Sequence, residues 1–298
     1  FFKQKTAYEM LRSLVGSEMC IRDRGEDYRK PIGLEGKVQY HIKCGPGDIA
    51  PVVIVPGDQE RINKIISKLS DARKIAENRG LITFTGKFNG YPVSVTSTGM
   101  GGPSASIVYE ELVNIGAKVL IRIGSVAGLQ EDVNEGEIVI PYGCVRDDGA
   151  SDYYVPSNFP AVPAPEVYSA LMNAAKEKGK RIVTGINWTH SCFYKRDPEY
   201  FQNWSRRRVV SMDMEASALF VVSYLRGVKA GFIGVCYANR YKQSINGKVD
   251  LSVQSPSREF IENSVKDAIE ITLDAIKDLY TCLLYTSDAA DDMQCVDL

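Results

Sequence analysis

Residues 93–107 read Val-Ser-Val-Thr-Ser-Thr-Gly-Met-Gly-Gly-Pro-Ser-Ala-Ser-Ile, and the chain changes its periodicity inside that stretch. Val93–Thr98 is a short β-branched run suited to a strand. Gly99-Met100-Gly101-Gly102 interrupts it, and Pro103-Ser104 opens a segment in which Ile107, Leu112 and Ile115 recur at helical spacing. Strand, glycine turn and helix together form the repeating unit of an α/β domain. The same order recurs on both sides. Pro51–Pro56 runs into Gly57-Asp58 and a helix carrying Arg61; Lys118–Ile123 runs into Gly124-Ser125-Val126-Ala127-Gly128. Glu137–Pro141, Val209–Met214 and Gly231–Cys236 are further β-branched runs. Helical periods follow Pro165 and Glu215, and another extends from Ser257 to Asp278. The apolar runs are nearly continuous, as in strands buried on both faces. The pattern predicts an α/β fold: a single domain over residues 25–281 with a mixed central β-sheet flanked by helices. Tyr142–Pro165, rich in Asp, Ser, Asn and Pro, reads as a long loop on the surface or at a subunit contact.

The chain has 298 residues, 44% hydrophobic and 24% charged, with a formal net charge of −1. That composition belongs to an ordinary globular protein, and the near-zero charge argues against nucleic acid or an anionic membrane as partner. Its apolar runs stop far short of the ~20 residues that cross a bilayer. Residues 1–24 and 282–298 do not read like the rest. The first lacks the apolar core of a secretion signal, and both resemble adapter or vector read-through, so they are set aside as non-native tails. Of the seven cysteines, Cys44, Cys144, Cys192 and Cys236 lie between these tails, far apart and without metal-ligand spacing. They are expected to be reduced thiols in a cytoplasmic protein with no metal centre.

Ligands of open α/β sheets bind beyond the carboxyl ends of the strands, where this chain places its glycine turns. The turns lack both the phosphate-loop pattern of nucleotide hydrolases and the dinucleotide fingerprint. Arg122 stands inside an apolar strand, and a guanidinium there must have a partner. Either a core carboxylate or a bound anion would serve. Glu215, in Met212-Asp213-Met214-Glu215-Ala216, is either a first-turn acid favoured by the helix dipole or a ligand contact.

Several ordered motifs share one resemblance. Ser97-Thr98-Gly99-Met100-Gly101-Gly102-Pro103-Ser104-Ala105-Ser106-Ile107 with Glu111-Leu112 resembles the signature of the purine/uridine phosphorylase family. Val55-Pro56-Gly57-Asp58 with Arg61, Ile121-Arg122-Ile123-Gly124-Ser125 and Met212-Asp213-Met214-Glu215-Ala216-Ser217 extend it over nearly all of residues 38–281. The resemblance implies cleavage of a nucleoside's N-glycosidic bond by inorganic phosphate, in dimers or trimers of dimers, with no metal or organic cofactor. By position, Gly57, Arg61, Arg79, Arg122 and Ser125 resemble the phosphate site, where arginine forks suit a multiply charged oxyanion. Met214 and Glu215 resemble the ribose contacts, and Phe193 the aromatic that packs on the base. His41 resembles a histidine lent by a neighbouring subunit to the ribose 5′ hydroxyl. His190 has no such counterpart and reads as structural.

The segment Val235-Cys236-Tyr237-Ala238-Asn239-Arg240 bears on the substrate. Purine phosphorylases of this kind carry an aspartate near Asn239 that protonates the leaving base, and an amide cannot. The Asn239-Arg240 pair resembles uridine phosphorylases, so Arg240 and Asn239 are expected at the base and Arg240 joins Arg122 as a catalytic residue. After Phe193-Tyr194 the chain reads Lys195-Arg196-Asp197-Pro198-Glu199 where uridine enzymes place a Gln-x-Arg pair, leaving Arg196 as the nearest base contact. The expected reaction is uridine plus phosphate to uracil plus ribose 1-phosphate. A purine nucleoside phosphorylase and a non-catalytic nucleoside-binding homologue are the alternatives. A nucleosidase, which uses water, would not need the arginine set.

Overall fold

The computed structural model describes residues 36–195, 197–245, 258–281 and 283. The tails set aside above lie outside the described residues, Leu283 excepted, as does Arg196.

In chain order the first elements are β1 (Val52–Ile54), α1 (Gln59–Ile66), β2 (Ser70–Asn78), β3 (Leu81–Phe88), β4 (Tyr91–Thr96) and α2 (Gly102–Asn114). There follow β5 (Val119–Gly128), β6 (Ile138–Val139), β7 (Gly143–Asp147), α3 (Pro165–Glu177), β8 (Ile182–Val183) and β9 (Ile186–His190). The last are α4 (Pro198–Arg206), β10 (Ser211–Asp213), α5 (Ala216–Arg226), β11 (Lys229–Asn239), α6 (Arg240–Ile245) and α7 (Arg258–Asp274). Among the described residues the strands make one mixed sheet in the order β2-β3-β4-β1-β5-β10-β9-β7, with β11 joining β5 to β6 and β6 joining β8.

Alternation along the strands feeds two cores, one on each face of the sheet. Val52, Ile54, Ile121 and Ile123 point to the face covered by Val167 and Leu171 of α3 and Val265 and Ile269 of α7. Val53, Val55, Leu120 and Phe232 point to the other, under Val108 and Leu112 of α2 and Leu219 and Val222 of α5. This is why the runs read as continuously apolar.

Strand β5 organises the sheet. On one side it runs parallel with β11 along its whole length, from Val119↔Lys229 to Gly128↔Asn239. On the other it pairs in parallel with β1 only as far as Ile121↔Ile54. Beyond β1 the chain leaves a gap, and β10 then pairs antiparallel at Ala127↔Met212 and Gly128↔Ser211. Residues 122–126 are therefore paired on the β11 side alone.

Tyr142–Pro165, read from the sequence as a long loop, departs from that expectation at its start. Gly143–Asp147 forms β7, parallel to β9. The remainder is held by Arg146, whose guanidinium donates to Ser151 Oγ at 2.9 Å, Pro156 O at 2.6 Å and Asp152 Oδ1 at 2.8 Å. One side chain thus ties together a segment that also sends Val155 and Ala161 into the core.

Candidate functional site

The gap beside β5 opens into a cavity of about 460 Å³. Its wall comes from the turn after β1, the glycine turn after β4, the open stretch of β5, the β10–α5 junction and the end of β11.

Asp58 starts α1: it is the N-cap residue, and its side chain accepts the Arg61 N–H at 2.8 Å. The cap fixes the first turn of α1, from which Arg61 reaches back and donates through Nη1 to Ile123 O at 2.9 Å. That carbonyl lies on the edge of β5 that β1 no longer covers, so a side chain takes the place of the missing strand. Arg61 also lies 3.4 Å from Asp58 Oδ2.

Arg122, only 4% exposed, lies among carboxylates: Nη2 donates to Glu215 Oε2, and Nε is 3.5 Å from Asp213 Oδ2. Both Nε and Nη1 are buried without a hydrogen-bond partner. Burial works against the charge, but Glu215, Tyr109 and Asp213 outweigh it and hold the Arg122 pKa above the ordinary arginine value. Burial pushes the Glu215 carboxyl up in turn, against the pull of Arg122. Gly124 makes room for this arrangement. A Cβ there would stand 3.0 Å from Arg122 Nη2 and 3.0 Å from the Phe232 ring.

Glu215 ties three elements together. It is the N-cap residue of α5, it accepts from the Gly101 N–H at 2.7 Å through Oε1, and it holds Arg122 through Oε2. Asp213 does the capping proper, accepting the N–H groups of Glu215 at 3.1 Å and Ala216 at 2.9 Å. The glycine turn reaches Glu215 because Gly99 sits at φ +69°, where a Cβ would also meet Ser104 Oγ at 2.7 Å.

The structure brings Gly57, Arg61, Arg122, Ser125, Phe193, Met214, Glu215 and Arg240 to this one cavity. Two expected site residues, Asn239 and Arg79, lie off this wall, as does His41, which is expected to serve a neighbouring subunit's site. Asn239, expected at the base, spends its amide on the backbone: Nδ2 donates to Gln130 O at 2.8 Å and Val133 O at 2.7 Å, and Oδ1 accepts the Lys242 N–H at 2.7 Å. Arg79, expected at the phosphate, is exposed at the β2–β3 turn, where its guanidinium lies 5.5 Å from the centre of the Tyr40 ring. His41 stands beside it. Its Nδ1 is 2.6 Å from Glu111 Oε1, and its carbonyl accepts from Asn78 Nδ2 at 2.7 Å. Neither His41 nor Arg79 is on the cavity wall. Arg196 lies outside the described residues.

His190 and Gln243 are among the wall residues that escaped the sequence reading. His190, read there as structural, lines the cavity; its ring stacks on Trp188 at 4.6 Å, and its Nδ1 accepts the Cys192 N–H at 3.3 Å. Gln243 also lines it, accepting a hydrogen bond from Arg240 Nη1. Only the spacing of Gln243 from Arg240, one helical turn, would have pointed to it.

The cavity therefore joins two arginine forks and glycine turns, suited to an oxyanion, with a buried carboxylate, an aromatic ring and a third arginine. Residues 51–277 match the phosphorylase superfamily. A uridine phosphorylase from Thermococcus kodakarensis is 41% identical over 224 residues, covering 71% of this chain and 80% of that protein. A guanosine phosphorylase from Halorubrum lacusprofundi is 30% identical, covering 80% of this chain and 98% of that protein. The crystal structure of a uridine phosphorylase from Vibrio fischeri superposes with a TM-score of 0.72 at 30% identity, covering 80% of this chain and 96% of that one.

Proposed function

The chain belongs to the phosphorylase superfamily, and from that premise we propose that it cleaves uridine with inorganic phosphate, releasing uracil and ribose 1-phosphate. The observation that carries this reading is Arg122: a buried guanidinium with two nitrogens lacking hydrogen bonds, beside Arg61 on a cavity wall. An anion with several oxygens meets that need with charge-assisted hydrogen bonds.

Phosphate held by Arg61, Arg122, Ser125 and the Gly57 turn is the nucleophile. The C1′–N1 bond breaks as the C1′–O bond to phosphate forms, and the bonding pair leaves with the base. Charge on the sugar ring rises in the transition state, and phosphate on one face is placed to balance it. Glu215 accepts hydrogen bonds from ribose hydroxyls, Met214 packs beneath the sugar, and Phe193 packs on the base. Arg240 stabilises the negative charge that gathers on the departing uracil. No residue need act as a covalent nucleophile, and the chemistry calls for no metal or organic cofactor.

His41 and Arg79 enter this scheme together, in a second copy of the chain. They share one exposed patch with Tyr40, away from the cavity of their own protomer. A dimer or a trimer of dimers that sets this patch against the neighbour's cavity would supply His41 to the ribose 5′ hydroxyl and Arg79 to phosphate. Among the described residues no helix is long and apolar enough to cross a membrane. We place the enzyme in cytoplasmic pyrimidine salvage.

The deciding experiment is release of free base from uridine and from inosine, each with and without phosphate. Phosphate-dependent uracil release is expected. Phosphate-dependent hypoxanthine release alone would make this a purine enzyme, the reading favoured by the guanosine phosphorylase relative. Release without phosphate would make it a nucleosidase, and binding without release would leave a nucleoside-binding protein.

A further inference from the structure

Gln243 lies on α6, one turn after Arg240, and is only 9% exposed. Its carboxamide makes one hydrogen bond among the described residues, to Arg240 Nη1. A guanidinium has donors and no acceptor, so the Gln243 atom facing Arg240 must be the carbonyl oxygen. The remaining end of the amide is then the NH₂, on a side chain that lines the cavity. Its orientation follows from the chemistry of its neighbour.

We propose that Gln243 is a specificity-determining residue that donates through Nε2 to the 4-oxo group of the pyrimidine. This rests on reading the cavity as a pyrimidine nucleoside site. Arg240 and Gln243 together present donors only, and Arg240 holds the amide so that it cannot turn its oxygen inward without losing their bond. A base with an oxo group at C4 completes the amide. One with an amino group there sets donor against donor and leaves a nearly buried polar group unmatched, which sites of this kind reject strongly. The device selects uracil over cytosine through a neutral amide that Arg240 orients.

The test compares the wild-type chain with Gln243→Leu, which removes the donor, and Gln243→Glu, which keeps the size and replaces donor by acceptor. The readouts are kcat/KM for uridine, inhibition constants for uracil and cytosine, the KM for phosphate, and thermal melting. Both variants are expected to lower kcat/KM for uridine and weaken uracil inhibition by about 10- to 100-fold. Cytosine inhibition should strengthen, most in Gln243→Glu, phosphate KM should stay within about threefold, and the wild-type preference for uracil should collapse. Retention of that preference within about threefold by a folded variant overturns the assignment. So does a loss that falls equally on uracil, cytosine and phosphate. If wild type releases no uracil from uridine and phosphate, the parent reading fails instead. Calorimetric titration of uracil and cytosine into wild type and Gln243→Leu then decides Gln243 separately, and equal binding by both proteins overturns it.

Discussion

Arg122 turns its Nε and Nη2 edge to Asp213 and Glu215 and leaves Nη1 without a hydrogen bond within the protein, so one rigid plane both holds the carboxylates and offers donors beyond them. Lysine would keep the charge near Glu215 and Asp213 but could not hold them and present a fixed second donor at once. Arg122→Lys is therefore expected to fold and to lose about 10²- to 10³-fold in kcat/KM, the usual effect of removing oriented donors at a developing charge. Steady-state kinetics with thermal melting checks both halves. Arg122→Ala should do worse on stability, by about 3–5 kcal/mol, because two buried carboxylates lose their cation. Arg122 and Glu215 could be read from the sequence because a charge in or beside an apolar run demands an explanation. His190 and Gln243 could not, since each sits among polar neighbours and gains its place from packing. Asn239 shows the converse. Its resemblance pointed to the base, yet two backbone carbonyls distant in sequence claim its amide.

The short helix α6 begins at Arg240, with Asn239 accepting the Lys242 N–H in the manner of an N-cap. Asn239→Asp keeps that acceptor and loses the two donors to Gln130 O and Val133 O, setting a carboxylate against two carbonyls. We expect a loss of about 1–3 kcal/mol in denaturant unfolding and no gain in activity on inosine. A clear gain on inosine would mean that the residue reaches the base after all. The alternating strands and helices were legible because buried strands must be apolar on both faces. The β2–β3 hairpin was not. Its outer strand, Ser-Asp-Ala-Arg-Lys-Ile-Ala-Glu-Asn, is largely exposed and carries no apolar alternation. Its turn residues Arg79 and Gly80 sit at φ 53° and 79°, the same left-handed pair that Asn89-Gly90 spells more plainly in the next hairpin. Strand β7 was hidden for a related reason, since the polar contacts of Arg146 that secure the segment after it leave no periodic signal in the sequence.

At the scale of the whole molecule, the cavity and the His41–Arg79 patch sit on different parts of one protomer. Two defective chains should then repair each other. Arg122→Ala and His41→Ala, each nearly inactive alone, are expected to regain about a quarter of wild-type activity when co-refolded, since mixed dimers hold one intact site. No recovery from a mixture shown by sedimentation to be dimeric would place His41 outside the reaction. The open edge of β5 has a consequence of another kind. Val55 N donates to Ile121 O, so alternation turns the backbone groups of Ile123 and Ser125 toward the side that β1 has left. The most interior strand of the sheet therefore contains amides that no neighbouring strand protects. In deuterated buffer they should exchange far faster than Val119 to Ile121 a few residues earlier, and saturating phosphate should slow them selectively. Mass spectrometry of peptides spanning residues 119–128 would follow anion binding from the middle of the core, with no substrate turned over.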